Sequence, residues 1–200
     1  RETHGARAVP RVRDGPPSAY DRSMDFRDLV AARYSVRAYR PDPVPEELLR
    51  QVLGAARLAP SACNRQPFRV VVIRTKGREA ELLRVYPKPW FVEAPYVLAV
   101  CAVPAEAWAR SRYDGWSAAE TDATIATDHL LLAAADLGLG TCWVAAFDPS
   151  AAREVLGLPD GVVPVAFTPL GWPADAAAPK ERKPVDDLVL HERWPGPPAG

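Results

Sequence analysis

The sequence has one asparagine (Asn64), one methionine (Met24), three cysteines, three histidines and four lysines among its 200 residues. Cys63, Cys101 and Cys142 make no CxxC pair, and so sparse and odd a set is no disulfide frame; it points to a reducing compartment. His4, His129 and His191 are far apart and have no metal-ligand spacing, so no metal is expected. Net charge is missing too. Twenty-five basic residues against 25 acidic ones give a formal charge of zero, which removes any global pull toward nucleic acid or membrane. The longest apolar stretches, such as Tyr96–Val103, fall well short of the about 20 residues needed to cross a bilayer. The N-terminus lacks the apolar core of a secretory signal, and a soluble cytoplasmic protein is the expectation.

What is abundant is proline, with 22 residues, and arginine; a GC-rich genome accounts for this better than a hot habitat. Hydrophobic residues at 48 % and charged residues at 25 % suit one globular domain with a sizeable core. Residues 1–22 are rich in Arg, Pro and Gly without periodicity and read as a flexible arm, leaving 23–200 as a single domain. Met24 is the expected natural start. Ser23 is placed to cap a helix carrying Phe26, Leu29 and Val30 on one face. Pro45, Glu46 and Glu47 open a second helix with the stripe Leu48, Leu49, Val52, Leu53 and Ala56, stopped by Pro60.

Phe68–Arg74 reads as a β-branched strand, Lys76–Val85 as a helix turning Leu82 and Leu83 inward, and Pro95–Val103 as a fully buried strand. The strongest helix spans Glu120–Leu137, with Ile125, Leu132, Ala133 and Leu137 on its apolar face and Gly138 and Gly140 ending it. Thr141–Phe147 is a third strand, Asp148 and Pro149 open a short helix to Leu156–Gly157, and Val162–Leu170 is a fourth strand. Lys180–Trp194 is an extended tail with one apolar run. Strands mixed with helices make this an α+β or α/β domain, with the long helix in its core.

Four segments carry candidate chemistry. Arg33-Tyr34-Ser35-Val36-Arg37 offers two planar guanidiniums around a hydroxyl, which suits a phosphate; a solvated basic turn is the plainer reading. Pro60-Ser61-Ala62-Cys63-Asn64-Arg65-Gln66-Pro67-Phe68 joins a helix end to a strand and holds the only asparagine. Its amides match a heterocycle with alternating donor and acceptor edges, unless they merely satisfy their own turn. Lys180-Glu181-Arg182-Lys183 could close on the same phosphate or be a solvated charge run. Gly138-Leu139-Gly140 is a helix end rather than a dinucleotide loop, since helix-to-strand is the wrong order. Gly171 marks a strand-to-turn position where a ligand could approach the backbone. No Ser–His–Asp or Cys–His set is visible, and Cys63 and Cys142 read as small loop or buried residues.

Taken in order, RYSVRAY, PSACNRQPF, APYVLAVCA, the helix ending Gly-Leu-Gly, TPLGWPA and KERKPVDDLV resemble the nitroreductase family of FMN-dependent oxidoreductases from about Met24 to Trp194. The resemblance implies an α+β fold whose mixed central sheet is flanked by helices around a long core helix. It also implies an interlocked homodimer with two FMN sites at its interface. Arg33, Ser35, Lys180 and Arg182 would hold the phosphate, and Arg37 would lie toward the ribityl chain or the pyrimidine edge, giving the flavin electrostatic support. Pro60, Ser61, Ala62 and Asn64 would come from the second subunit and Gln66 would sit near the ring or ribityl. Backbone at Trp143, Val144 and Gly171 would lie alongside the isoalloxazine.

It further implies NAD(P)H as co-substrate, hydride transfer through flavin N5, ping-pong exchange with a nitroaromatic, quinone or similar small acceptor, and no protein acid or base. Nucleic acid and membrane are not expected partners. Tyr34, Cys63, Arg65 and Phe68 depart from the family's usual residues, and the segment between Tyr86 and Ala119 is short, so the lid over the flavin is small. Trp108, Tyr113 and Trp116 are candidates for lining the substrate site, as are Trp90 and Phe91, with ordinary packing as the alternative. A specialised member (a reductive dehalogenase, a flavin-fragmenting enzyme or a biosynthetic dehydrogenase) and a flavin-binding interaction protein are the competing readings.

Overall fold

A computed structural model describes residues 24–194. The expected arm at 1–22 and the cap Ser23 lie outside these residues. The elements run α1 (Phe26–Ala32), β1 (Tyr39–Arg40), α2 (Glu46–Arg57), β2 (Phe68–Arg74), α3 (Glu79–Val85), β3 (Tyr96–Ala102), α4 (Ala119–Asp136), β4 (Gly140–Thr141), α5 (Pro149–Leu156), β5 (Val163–Pro173) and α6 (Val185–Leu188). Short 3-10 turns occupy Ala62–Asn64, Pro89–Val92 and Pro104–Glu106.

The sheet order is β1-β5-β3-β2, with β4 paired to the far end of β5. Every ladder is antiparallel, and the only parallel pairing among the described residues is the single bridge Ser35–Thr141. The expected mixed sheet is therefore an antiparallel one. Strand β3 is central, so all seven of its residues are buried. Its alternation divides the core: Tyr96 and Leu98 face α2 and α4, while Val97 and Ala99 face α3 and α5. Helices thus cover both faces of the sheet. On the α3 side Phe91, Phe147 and Phe167 stack edge to face, at ring separations of 6.3 and 4.9 Å from Phe167.

Several expectations change. Helix α1 is capped by Asp25, whose Oδ1 accepts the Arg27 N–H at 2.9 Å, and it buries none of its residues; Phe26 and Val30 face outward. Helix α3 begins at Glu79 because Gly77, at φ 83°, turns the chain first. Leu82 is buried and Leu83 only half-buried. Along α4 the buried side is Asp122, Ala123, Ala126, Thr127, Leu130, Leu131 and Ala134. The expected face (Ile125, Leu132, Ala133 and Leu137) is the half-exposed one, since alanine and leucine surround this helix and its periodicity selects no side.

The strand expected over Thr141–Phe147 shrinks to Gly140–Thr141 and a lone bridge from Val144 to Phe167. Strand β5 runs on to Pro173 because β1, a two-residue strand absent from the sequence reading, pairs with its end. Within the tail, Val185–Leu188 forms one helical turn.

Candidate functional site

The two ends of the domain meet in a cleft of about 500 Å³. Its N-terminal wall exists because Arg33, at φ −54° and ψ 131°, leaves the helical region and directs the chain along the sheet. Val36 N–H donates to the Thr141 carbonyl at 2.9 Å and Ala174 N–H to that of Ala38 at 2.9 Å, so residues 34–40 lie against β4 and the end of β5. Extended backbone alternates its side chains. Val36 is buried, while Arg33, Ser35 and Arg37 line the cleft.

The opposite wall carries Asp175, Lys180, Glu181 and Arg182. Lys180 Nζ donates to the carbonyl of Val30 at 2.8 Å and to that of Ala31, closing the C-terminal end of α1, where a cation is favoured. Asp175 is the residue that sequence reasoning missed. Its Oδ2 accepts the Arg37 N–H at 2.7 Å, and its Oδ1 and carbonyl accept the Tyr34 hydroxyl at 3.1 and 2.9 Å. Nothing in the sequence marks an acid as belonging in a cationic cleft.

Arg33, Lys180 and Arg182 form no ion pair with any described residue, and Arg182 reaches only the Glu181 carbonyl, at 2.7 Å. Desolvation, and then the guanidiniums of Arg33 and Arg182, hold the Lys180 ammonium below the ordinary lysine value. Burial, then the hydrogen bond to Asp175, pushes the Tyr34 phenol up. Burial also raises the Cys142 thiol, partly offset by Arg37, Ser35 and Arg33. Four cations (Arg33, Arg37, Lys180 and Arg182) against two acids (Asp175 and Glu181) leave the cleft at +2, and a dianion offsets that excess.

Pro60, Ser61, Ala62, Asn64 and Gln66 lie elsewhere in the protomer, between α2 and β2, and do not line this cleft. The loop is tied to the first turn of α4 by Asp122, a buried carboxylate whose oxygens accept the Ala62 N–H at 3.1 and 3.2 Å. Asp122 is the second residue that sequence reasoning missed; an acid in the first turn of a helix reads simply as a favourable charge there. Ser61 Oγ accepts the Gln66 N–H at 3.0 Å, and Gln66 Nε2 donates to the Asn64 carbonyl and Oδ1 at 3.0 and 3.1 Å. Within one protomer these polar groups satisfy their own turn. Cys63, Asn64 and Gln66 all take left-handed φ of 52–54°, which costs each of these non-glycine residues about 1–2 kcal/mol.

Gly171 is explained by packing. A Cβ there would lie 2.9 Å from Pro95 Cδ and 3.1 Å from Tyr39 Cδ1. Trp143 is half-buried against the α2–α4 core and Val144 is buried, paired with Phe167. Trp108 is half-buried, and Tyr113 and Trp116 are exposed on a hairpin closed by the bridge Ala109–Ser117. The Arg110 guanidinium stands 5.2 Å from the Trp116 ring and Arg112 5.9 Å from Tyr113. Phe91 and Trp90 belong to the core on the α3 side rather than to any lid. All three cysteines are free, no described cluster of His, Cys, Asp and Glu could hold a metal, and no described helix is long and apolar enough to cross a membrane.

Comparison with known proteins agrees with this architecture. The family model for the nitroreductase family matches residues 30–88 and 78–172. A protein of Thermus thermophilus named NADH dehydrogenase is 32% identical over 198 residues, covering 84% of this chain and 96% of that protein. One from Bacillus subtilis named FMN reductase [NAD(P)H] is 32% identical over 175 residues, covering 80% and 70%. The crystal structure of a nitroreductase family protein from Clostridium difficile 630 superposes with a TM-score of 0.77 at 34% identity, over 86% of this chain and all of that one. The chain therefore belongs to the nitroreductase family, with its α+β fold, and is an oxidoreductase of the NAD(P)H nitroreductase and FMN reductase kind.

Proposed function

We propose that the protein works as a homodimer that binds FMN and carries hydride from NADH or NADPH to a nitroaromatic, quinone or similar electrophilic acceptor by ping-pong exchange. The observation that carries this reading is the cleft in which Arg33, Arg37, Lys180 and Arg182 converge against only two acids, Asp175 and Glu181, with Arg33, Lys180 and Arg182 in no ion pair among the described residues. That donor set fits a phosphate dianion, with guanidinium forks and the Ser35 hydroxyl as ligands. Arg33, Ser35, Lys180 and Arg182 would hold the phosphate, and Arg37 the neighbouring ribityl or pyrimidine portion. When bound, FMN supplies the redox chemistry itself, relaying hydride through N5.

The chain's own residues bind and orient. Asp175 fixes the Arg37 backbone and the Tyr34 hydroxyl, so the N-terminal wall keeps its shape. Lys180 seats the C-terminal segment on the end of α1, which closes the opposite wall. Arg37 places a permanent positive charge beside the site, where it would stabilise negative charge developing on the reduced cofactor.

A second copy of the chain is part of the reading. The Pro60–Gln66 loop lies away from the cleft in one protomer, so it reaches a shared ligand only across an interface. The outward Phe26 and Val30, the exposed edge residue Val72, and Val185, Leu188 and Trp194 in the tail leave apolar surface for a partner to cover. Anaerobic stopped-flow mixing of the purified protein with NADH and with NADPH tests the proposal. Bleaching of flavin absorbance by either, in a species that sediments as a dimer, is expected. Protein that stays colourless after incubation with FMN and sediments as one protomer overturns it.

A further inference from the structure

A second cleft, of about 530 Å³, opens where the end of α2 meets the Arg65–Gln66 corner, the start of β2 and the Pro104–Glu106 turn. Its floor is apolar, made by Leu53, Ala56, Phe68 and Val70. Its rim carries three guanidiniums, of Arg57, Arg65 and Arg69, and one acid, Glu106. Glu106 is engaged by Arg69, whose Nη2 donates to both carboxylate oxygens at 2.7 and 2.9 Å. Arg57 and Arg65 have no ion pair among the described residues. Three cations against one acid leave the cleft at +2. Arg57 is the last residue of α2, where the helix dipole favours a cation, and Arg65 sits beside Gln66, whose left-handed backbone is fixed by Ser61. Two fork-shaped cations above a hydrophobic floor recognise a flat, apolar group that carries phosphate.

We infer that this cleft holds the adenosine end of the reduced nicotinamide dinucleotide, with Arg57 and Arg65 gripping its phosphates and the apolar floor, Phe68 included, taking the adenine. The inference rests on the proposed function, because it needs the Pro60–Gln66 loop to border a flavin. The cleft then begins at Gln66, beside the place where hydride is delivered, and extends away from it to Arg57. A neutral acceptor would leave both guanidiniums unused.

Arg57→Gln, Arg65→Gln and the double variant, prepared as flavin-loaded enzyme, test it. The expected result is a KM for the dinucleotide raised about fivefold in each single variant and about twentyfold in the double, with kcat and bound flavin unchanged. Arg57→Lys and Arg65→Lys, which keep the charge, should retain most of the affinity. Calorimetric binding of adenosine 2′,5′-bisphosphate should weaken in parallel in the double variant. A loss confined to NADPH assigns the arginines to the 2′-phosphate, and an equal loss for NADH and NADPH assigns them to the diphosphate. KM values within twofold of the parent for both dinucleotides, in a double variant that keeps its flavin, overturn the inference while the flavin reading stands. A parent protein that takes up no flavin refutes the proposed function instead, and calorimetry then decides this cleft: no bisphosphate binding to the parent overturns it.

Discussion

Gly140→Ala is a sharp test of how the fold shapes the cleft. A Cβ at Gly140 would lie 2.8, 2.9 and 3.0 Å from Cγ2, Cγ1 and Cβ of Val36. Val36 cannot swing away. It is 2% exposed, it is β-branched, and its N–H is bonded to the Thr141 carbonyl. Overpacking of this kind costs about 1–3 kcal/mol. For a chain of this size that lowers Tm by about 2–12 °C, at about 2–4 °C per kcal/mol. The matched control is Gly54→Ala, inside α2, where an added Cβ meets nothing within 4 Å. There alanine should stabilise by about 0.5–1 kcal/mol through helix propensity, raising Tm by about 1–4 °C. Both are read by calorimetry on flavin-free protein. A second scan with excess FMN isolates the site, because Val36 stands between Ser35 and Arg37 and any shift of it moves both. Gly140→Ala should therefore gain less Tm from FMN than the parent, and Gly54→Ala should gain as much. Equal Tm changes for the two variants, or an unaltered FMN gain in Gly140→Ala, would refute the reasoning.

Saturating FMN at roughly a hundredfold over Kd should stabilise the parent by about 2.7 kcal/mol, and Arg182→Gln should lose much of that gain without melting lower when flavin-free, because one repelling charge is gone; a thermal shift series checks both. Asp122→Ala leaves the half-buried Ala62 N–H without its acceptor and should cost about 0.5–1.5 kcal/mol, with faster amide exchange at Ala62 as the local readout. Burial pushes the Cys101 thiol up to about 11. The folded state thus keeps that proton after the unfolded chain has lost it, and stability falls as pH rises from the ordinary thiol range through about 11. Urea midpoints across that window should slope downward, and Cys101→Ser should flatten the slope.

What the sequence reveals of the fold depends on whether local chemistry alone decides it. Strand β2 begins and ends where the β-branched run Phe68–Arg74 does. Helix α5 starts where Asp148 accepts the N–H groups of Ser150 and Ala151, and stops at Gly157 in the left-handed region. Helix α4 is another matter. Its existence and length follow from composition, but alanine on every side gives no strong moment, so neighbours decide which side is buried. Strand β1 has no local signature at all: Tyr39–Arg40 is extended only because the end of β5 lies beside it.

The site divides along the same line. Arg33, Lys180 and Arg182 belong to two basic runs of the sequence, and a cleft that gathers them needs only the two chain ends to meet. Asp175 is illegible there because its work is done on a backbone N–H and a tyrosine hydroxyl, neither of which has a spacing in sequence. At Gly171 the neighbours that come close are Pro95 and Tyr39, which fill the space its Cβ would take. A glycine in a motif reports that something comes close to the backbone. Whether that something is protein or ligand is decided by the neighbouring strands, and across this sheet Gly171 is paired with Gly140, whose own missing Cβ makes room for Val36. The two glycines together let the segment that carries Ser35 and Arg37 settle onto the end of the sheet.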